Sequence, residues 1–171
     1  MKRKINAWDY AGEIIEKTGI GVLLTTKADG QVNTMTIGWG TLGIQWGKPI
    51  FIAYVRQSRY TKQLLDKNGE FTVNVPMGAI DKKILGICGT KSGRDMDKFA
   101  ELGLTEEAPE VISVPAIKEL PLTLECRVIY RQDQDPKAIA PDADARFYAK
   151  GTSNEGDYHT AYYGEITAAY L

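Results

Sequence analysis

The chain has 171 residues, 43% apolar and 25% charged, with 21 Lys+Arg against 22 Asp+Glu for a net charge of −1. That length suits one domain with a substantial core, and the near-neutral balance excludes the strongly basic surface of a nucleic-acid binder. No apolar run is long enough to cross a bilayer, and the N-terminal "MKRKINAWDYAGEIIEKTG" is amphipathic rather than a signal peptide, which points to a soluble, cytoplasmic protein.

A first helix is expected near residues 9 to 17. "IGVLLTT" then reads as a strand, and "KADGQ" supplies Asp29-Gly30 as a hairpin turn into "VNTMTIGWG". That run sets Asn33, Met35, Ile37 and Trp39 on one face and Val32, Thr34, Thr36 and Gly38 on the other. "KPIFIAYVR", "EFTVNVP", "PLTLECRVIYR" and the closing "YHTAYYGEITAAYL" bring the strands to six. Further helices are predicted at 59 to 67, where Ser58 can cap and Asn68-Gly69 can terminate, and in "MGAIDKKILGICG". A third begins at Ser92, which forms a capping-box pattern with Asp95 and is stopped by Gly103. Residues 105 to 119 and 132 to 157 read as irregular connections, although "DADARFYAKG" has the pattern for two helical turns. Alternating strands without regularly interleaved helices give a mainly β, β-rich α+β domain over 1 to 171, with a closed or partly closed barrel favoured.

Cys88 and Cys126 are far apart in sequence and read as buried apolar residues. With one histidine, no CxxC and no HExxH, a metal site is not expected. The charge is uneven: residues 56 to 98 hold nine basic and five acidic residues, an excess of four, so the remainder stands at −5. Within this zone "RQSRYT" joins a strand to a helix, where unpaired N–H groups attract anions. Arg56 and Arg59 add guanidinium forks, and Ser58 and Thr61 add hydroxyls, a set that suits a phosphate. Spacing alone favours a plainer account, with Ser58 as a cap and both arginines solvated. In "SGRDMDKFAELGL", Lys98 lies beyond Ser92, Gly93 and Arg94, and a capped surface helix accounts for all four on spacing alone. The glycines of "NTMTIGWG" allow close backbone approach to a ligand, with Trp39 and Met35 either lining it or packing in the core. His159 stands at a loop-to-strand entry, where a lone histidine is most often structural or solvated.

Taken in order, "VNTMTIGWG", "KPIFIAYVRQSRYT", "EFTVNVP", "SGRDMDKFAELGL", "LPLTLECRVI" and "HTAYYGEI" resemble the flavin reductase-like family of FMN-binding split-barrel proteins, which includes the flavoredoxins. The resemblance covers nearly the whole chain. It implies a six-stranded antiparallel split β-barrel with Greek-key connections, a homodimer, and FMN near the subunit interface. Carried over by position, Asn33 and the segment Thr34, Met35, Thr36, Ile37, Gly38 and Trp39 approach the flavin, while Arg56, Ser58 and Thr61 hold its phosphate. Ser92, Gly93 and Lys98 come from the "SGRDMDKF" motif, and Lys98 and His159 complete the pocket at the ring side. Residues 132 to 157 depart from the family pattern and read as an inserted lid or interface loop.

The resemblance implies an oxidoreductase that moves electrons from a reduced nicotinamide or similar donor through FMN to a small-molecule or protein acceptor. An alternative is an FMN-binding electron carrier that serves protein partners; a remoter one keeps the barrel for pyridoxal phosphate or haem. The missing GxGxxG separates none of these. Lys98, His159 or the amides of residues 35 to 38 are candidates for stabilising a reduced ring. An unperturbed histidine pKa of about 6.5 implies a pH signature near neutrality if His159 borders that ring.

Overall fold

The computed structural model describes residues 2–171. After a 3-10 turn at Ala7–Tyr10, capped by the Asn6 side chain, helix α1 (Ala11–Ile20) leads into β1 (Val22–Ala28) and β2 (Gln31–Ile37). The turn between those strands is the expected one: Asp29 and Gly30 have φ of 51° and 74°, and Ala28 faces Gln31. Two consecutive left-handed residues give a turn whose twist matches that of the strands.

A strand that sequence reading missed follows, β3 (Gly40–Gln45), paired with β4 (Lys48–Arg56) across a second such turn at Trp46 and Gly47. Helix α2 (Tyr60–Lys67), β5 (Glu70–Val75), α3 (Lys82–Thr90) and α4 (Lys98–Leu102) come next. The connection 105 to 119 is not wholly irregular, because β6 (Glu106–Glu107) pairs with β7 (Ala116–Ile117). Two 12-residue strands finish the sheet, β8 (Leu122–Asp133) and β9 (His159–Tyr170), with α5 (Pro141–Phe147) in the connection between them. The two helical turns expected there are present.

The main sheet is antiparallel with seven strands, in the order β2-β1-β5-β8-β9-β4-β3, rather than the six expected. Irregularities at Glu125/Cys126 and Val128/Tyr130 bend the two long strands, as bulges do, and let the sheet curl. Met35, Ile37, Phe51, Val55, Phe71, Val73, Leu124 and Tyr162 thereby share one core. The curl does not close: among the described residues no ladder joins the edge strands β2 and β3. Outside the curl, Leu23 of β1 packs with Cys88 of α3, Phe99 of α4 and Ile117, so β1 is buried on both faces. Both cysteines are free and buried. No helix among the described residues is long and apolar enough to cross a membrane.

Two cap assignments change. Arg59, not Ser58, occupies the N-cap position of α2, and it makes no side-chain cap. Ser92 does not open a helix: its hydroxyl accepts the Arg94 N–H in a turn, and Asp97 caps α4 through the N–H groups of Phe99 and Ala100. An aspartate beside the first helical residue outcompetes a serine five positions earlier.

Candidate functional site

At the end of β4 the chain turns through Gln57 and Ser58 into α2, and edge strand β2 runs beside this junction. The Asn33 amide donates to Thr61 Oγ1 at 2.8 Å, and so ties β2 to the first turn of α2. Gly93 fixes the opposite wall, since a Cβ there would collide with the Asn33 side chain. Between these elements lies a trough in two parts. One, of about 170 Å³, has residues Met35 to Trp39 on one side and Tyr54, Arg56, Arg59 and His159 on the other. The second, of about 110 Å³, runs from Asn33 and Thr61 past Ser58 to Lys91, Ser92 and Arg94. Met35 and Arg59 border both, which makes the two parts continuous.

The first part is floored by backbone and rings. Trp39 is 41% exposed, with Phe147 of α5 edge-on at 4.9 Å between centroids and His159 tilted against it, also at 4.9 Å. His159 is only 5% exposed, and its Nδ1 lies 2.7 Å from the Tyr148 hydroxyl. That hydroxyl has one proton and gives it to Gln134 Oε1 at 2.9 Å, so Nδ1 carries the histidine's proton and Nε2 keeps its lone pair. Burial, reinforced by the Arg56 and Arg59 charges and partly opposed by Asp157, brings the His159 pKa down to about 4. The expectation that it titrates near neutrality is therefore corrected.

The second part is cationic. Arg59, Lys91, Arg94 and Lys98 converge on it with the Ser58, Thr61 and Ser92 hydroxyls. These cations differ in freedom. Arg94 leans towards the Ser58 carbonyl at 3.4 Å and over the Tyr60 ring, and Lys98 donates to the carbonyls of Thr34 and Cys88 at 2.8 and 3.2 Å. Burial, together with the Arg59 charge, lowers the Lys98 pKa from its ordinary value. Arg56 Nη1 donates to the Asp157 carbonyl at 2.9 Å, and its guanidinium sits over Tyr148. The Arg59 guanidinium has no hydrogen bond or ion pair among the described residues, so its side-chain donors are free for a ligand.

Of the residues singled out by sequence, Asn33, Met35, Thr36, Ile37, Gly38, Trp39, Arg56, Ser58, Thr61, Ser92, Gly93, Lys98 and His159 all border the trough. Thr34 does not: it is fully buried, and its hydroxyl bonds the Leu24 carbonyl. Thr36 contributes without its hydroxyl, which donates to Leu85 O at 2.7 Å. Lys98 lies in the cationic part rather than at the ring side with His159, and it is a buried tie rather than a surface charge. Arg56 borders the ring part instead of the anion part. Arg59, offered by the residues as a phosphate fork but absent from the set that the resemblance implies, borders both parts, and sequence reading missed Tyr54, Thr90 and Lys91. Tyr54 was findable, because it precedes Arg56 by two residues on the same strand face. No periodicity marks Thr90 or Lys91.

Residues 17–171 match the family model described as flavin reductase like domain, and the chain belongs to that family. A flavoredoxin from Methanosarcina acetivorans is 29% identical, with a TM-score of 0.67 over 88% of this chain and 67% of that one. An FMN-binding domain of a flavin reductases-like enzyme from Shewanella baltica shares the fold at 15% identity, with a TM-score of 0.68 over 100% of this chain and 77% of that one. So does a Streptomyces globisporus NADH:FAD oxidoreductase, at 19% identity and a TM-score of 0.64 over 87% and 73%. A curated relative from Archaeoglobus fulgidus is 35% identical over 97 residues, 57% of this chain, and the match spans about half of that relative, 54%. The fold is that of the FMN-binding split-barrel proteins, with an open rather than closed barrel here.

Proposed function

We propose that this chain binds FMN along the two-part trough and acts as an oxidoreductase, passing electrons from a reduced nicotinamide or similar donor to a small-molecule or protein acceptor. The observation that carries this reading is the asymmetry of the trough, with the Met35–Trp39 backbone and the Trp39 and His159 rings at one end, Lys91, Arg94 and the Ser58, Thr61 and Ser92 hydroxyls at the other, and Arg59 bordering both. That donor set fits a planar ring joined to a phosphate. Bound FMN supplies a ring able to accept a hydride or electrons and pass them on. The Met35–Trp39 wall would orient the ring, Arg59, Lys91, Arg94 and the hydroxyls would hold the anionic end, and His159 would border the ring part as a neutral imidazole. FMN titrated into flavin-free protein should quench its fluorescence in the complex and raise the melting temperature. Reduced nicotinamide should then bleach the bound flavin with saturable kinetics. Binding without bleaching, while a chemical reductant still bleaches, would establish instead the electron-carrier reading, which the flavoredoxin neighbour favours.

The homodimer and the cytoplasmic location belong to the same proposal. The two parts enclose about 170 and 110 Å³, whereas pockets that bury a ligand of this size run to about 300 Å³ or more. Both parts are also open clefts rather than enclosed cavities, so one subunit by itself leaves a bound ligand partly exposed. Away from the trough, Ile44, Trp46 and Tyr130 are 71%, 66% and 39% exposed, and Tyr130 bridges the Trp46 and Tyr163 rings. An apolar face of that kind is suited to two-fold pairing. Light scattering should give twice the chain mass; a monomer that holds FMN tightly would overturn the dimer.

A further inference from the structure

The strand end is already engaged by an anion from the chain itself. Asp157, near the end of the β8–β9 connection, sets both carboxylate oxygens on Ser58. Oδ1 accepts the Ser58 N–H at 3.0 Å, and Oδ2 accepts the Ser58 hydroxyl at 2.6 Å. The Asp157 carbonyl takes Arg56 Nη1 at 2.9 Å, and the Tyr158 carbonyl takes the Gln57 N–H at 3.0 Å. An N–H and an O–H from one residue at a strand-to-helix junction, both given to one anionic group, is the bonding that a phosphate receives at such a place. The same connection carries Phe147 against Trp39 and Tyr148 against His159, so whatever holds Asp157 also helps hold the cover of the ring part.

We propose that Asp157 is a built-in competitor for the ligand's phosphate: a dianionic ligand end takes Ser58 from Asp157, and the 134 to 158 connection loosens over the Trp39 part of the trough. This rests on the FMN reading above and adds a regulation of the same site. It contrasts with a passive tether, in which Asp157 keeps Ser58 in place and the phosphate uses only Arg59, Lys91 and Arg94. The two differ in sign. Loss of a competitor tightens FMN, and loss of a tether weakens it or leaves it unchanged.

The test compares FMN with riboflavin, which lacks the phosphate, on flavin-free protein. Asp157→Asn should tighten FMN about tenfold and change riboflavin by less than about twofold, the scale of a charge-assisted hydrogen bond. Removing one negative charge also favours a phosphate at a distance, so a second measurement uses wild-type protein. Trypsin should cut after the exposed Arg146 and Lys150 faster with saturating FMN than with saturating riboflavin, because only FMN displaces Asp157. Equal cleavage with the two flavins overturns the proposal, as does an equal or weakening effect of Asp157→Asn on FMN. Failure of wild type to bind either flavin overturns the FMN reading itself, and the proposal with it. Riboflavin and FMN both binding, with equal cleavage, overturns the competition alone.

Discussion

Arg59→Ala should weaken FMN by about 10- to 100-fold while changing riboflavin far less, because charge-assisted hydrogen bonds are worth roughly 1.5–3 kcal/mol and tenfold is about 1.4. The choice of Arg59 over its neighbours follows from what each cation already does. Arg56 is held by the Asp157 carbonyl and Tyr148, Arg94 leans on Ser58, and Lys98 is committed to the Thr34 and Cys88 carbonyls. Arg59 is half-buried, unpaired among the described residues, and borders both parts of the trough. Its charge also depresses the pKa of both His159 and Lys98, so its field spans the site. Isothermal titration with both flavins decides the matter. Equal losses would move Arg59 to the ring end, and no loss would leave the phosphate to Lys91 and Arg94.

Much of this arrangement was legible in the sequence wherever one local signal acted unopposed. Asp29-Gly30 between two β-branched runs left the β1–β2 hairpin little alternative, and alternation across "PLTLECRVIYR" marked β8 as a strand. Strand β3 escaped because "GTLGIQ" carries two glycines and lies partly exposed along its whole length, so it has no apolar face to betray its period. Its turn pairs a tryptophan with Gly47, and Trp46 at φ 51° is not a residue that composition suggests for a left-handed position.

The site divides the same way. Residues that touch the trough from β2 and the β4–α2 junction were marked by the family resemblance, whose motifs run along these segments, whereas spacing alone favoured a cap, solvated arginines and core packing. What spacing could not give is how donors are shared. Lys98 looks like a surface charge four residues before Leu102, yet α4 packs against β2 and carries its ammonium to the Thr34 carbonyl. Ser58 looks like a helix cap, yet its partner is Asp157, 99 residues on. Long-range pairings of this sort are set by tertiary packing and leave no local trace.

The single histidine makes one pH experiment unusually clean. His159 is buried with its Nδ1 proton committed to Tyr148, beside the Arg56 and Arg59 charges, and its pKa falls to about 4. An unfolded chain protonates it near its ordinary value, 6.5. Between those two values the unfolded state binds the extra proton, so stability is fully present above pH 6.5 and declines as the pH falls towards 4. Asp66 and Glu70 titrate lower: ion pairs and hydrogen bonds outweigh burial and hold both carboxyls below their ordinary values, so their contributions fade only further down. Denaturant midpoints measured from about pH 5 to 8 should therefore drop on the acid side in wild type and flatten in His159→Asn, whose amide can still meet Tyr148. The same pKa bears on activity. With the imidazole neutral throughout, flavin reduction followed by stopped flow from about pH 5.5 to 8.5 should show no inflection belonging to His159. An inflection near 6.5 that the substitution abolishes would place a proton on His159 in the loaded protein, and would mean that the charge of the bound ligand overcomes the burial and the two arginines that hold the ring neutral.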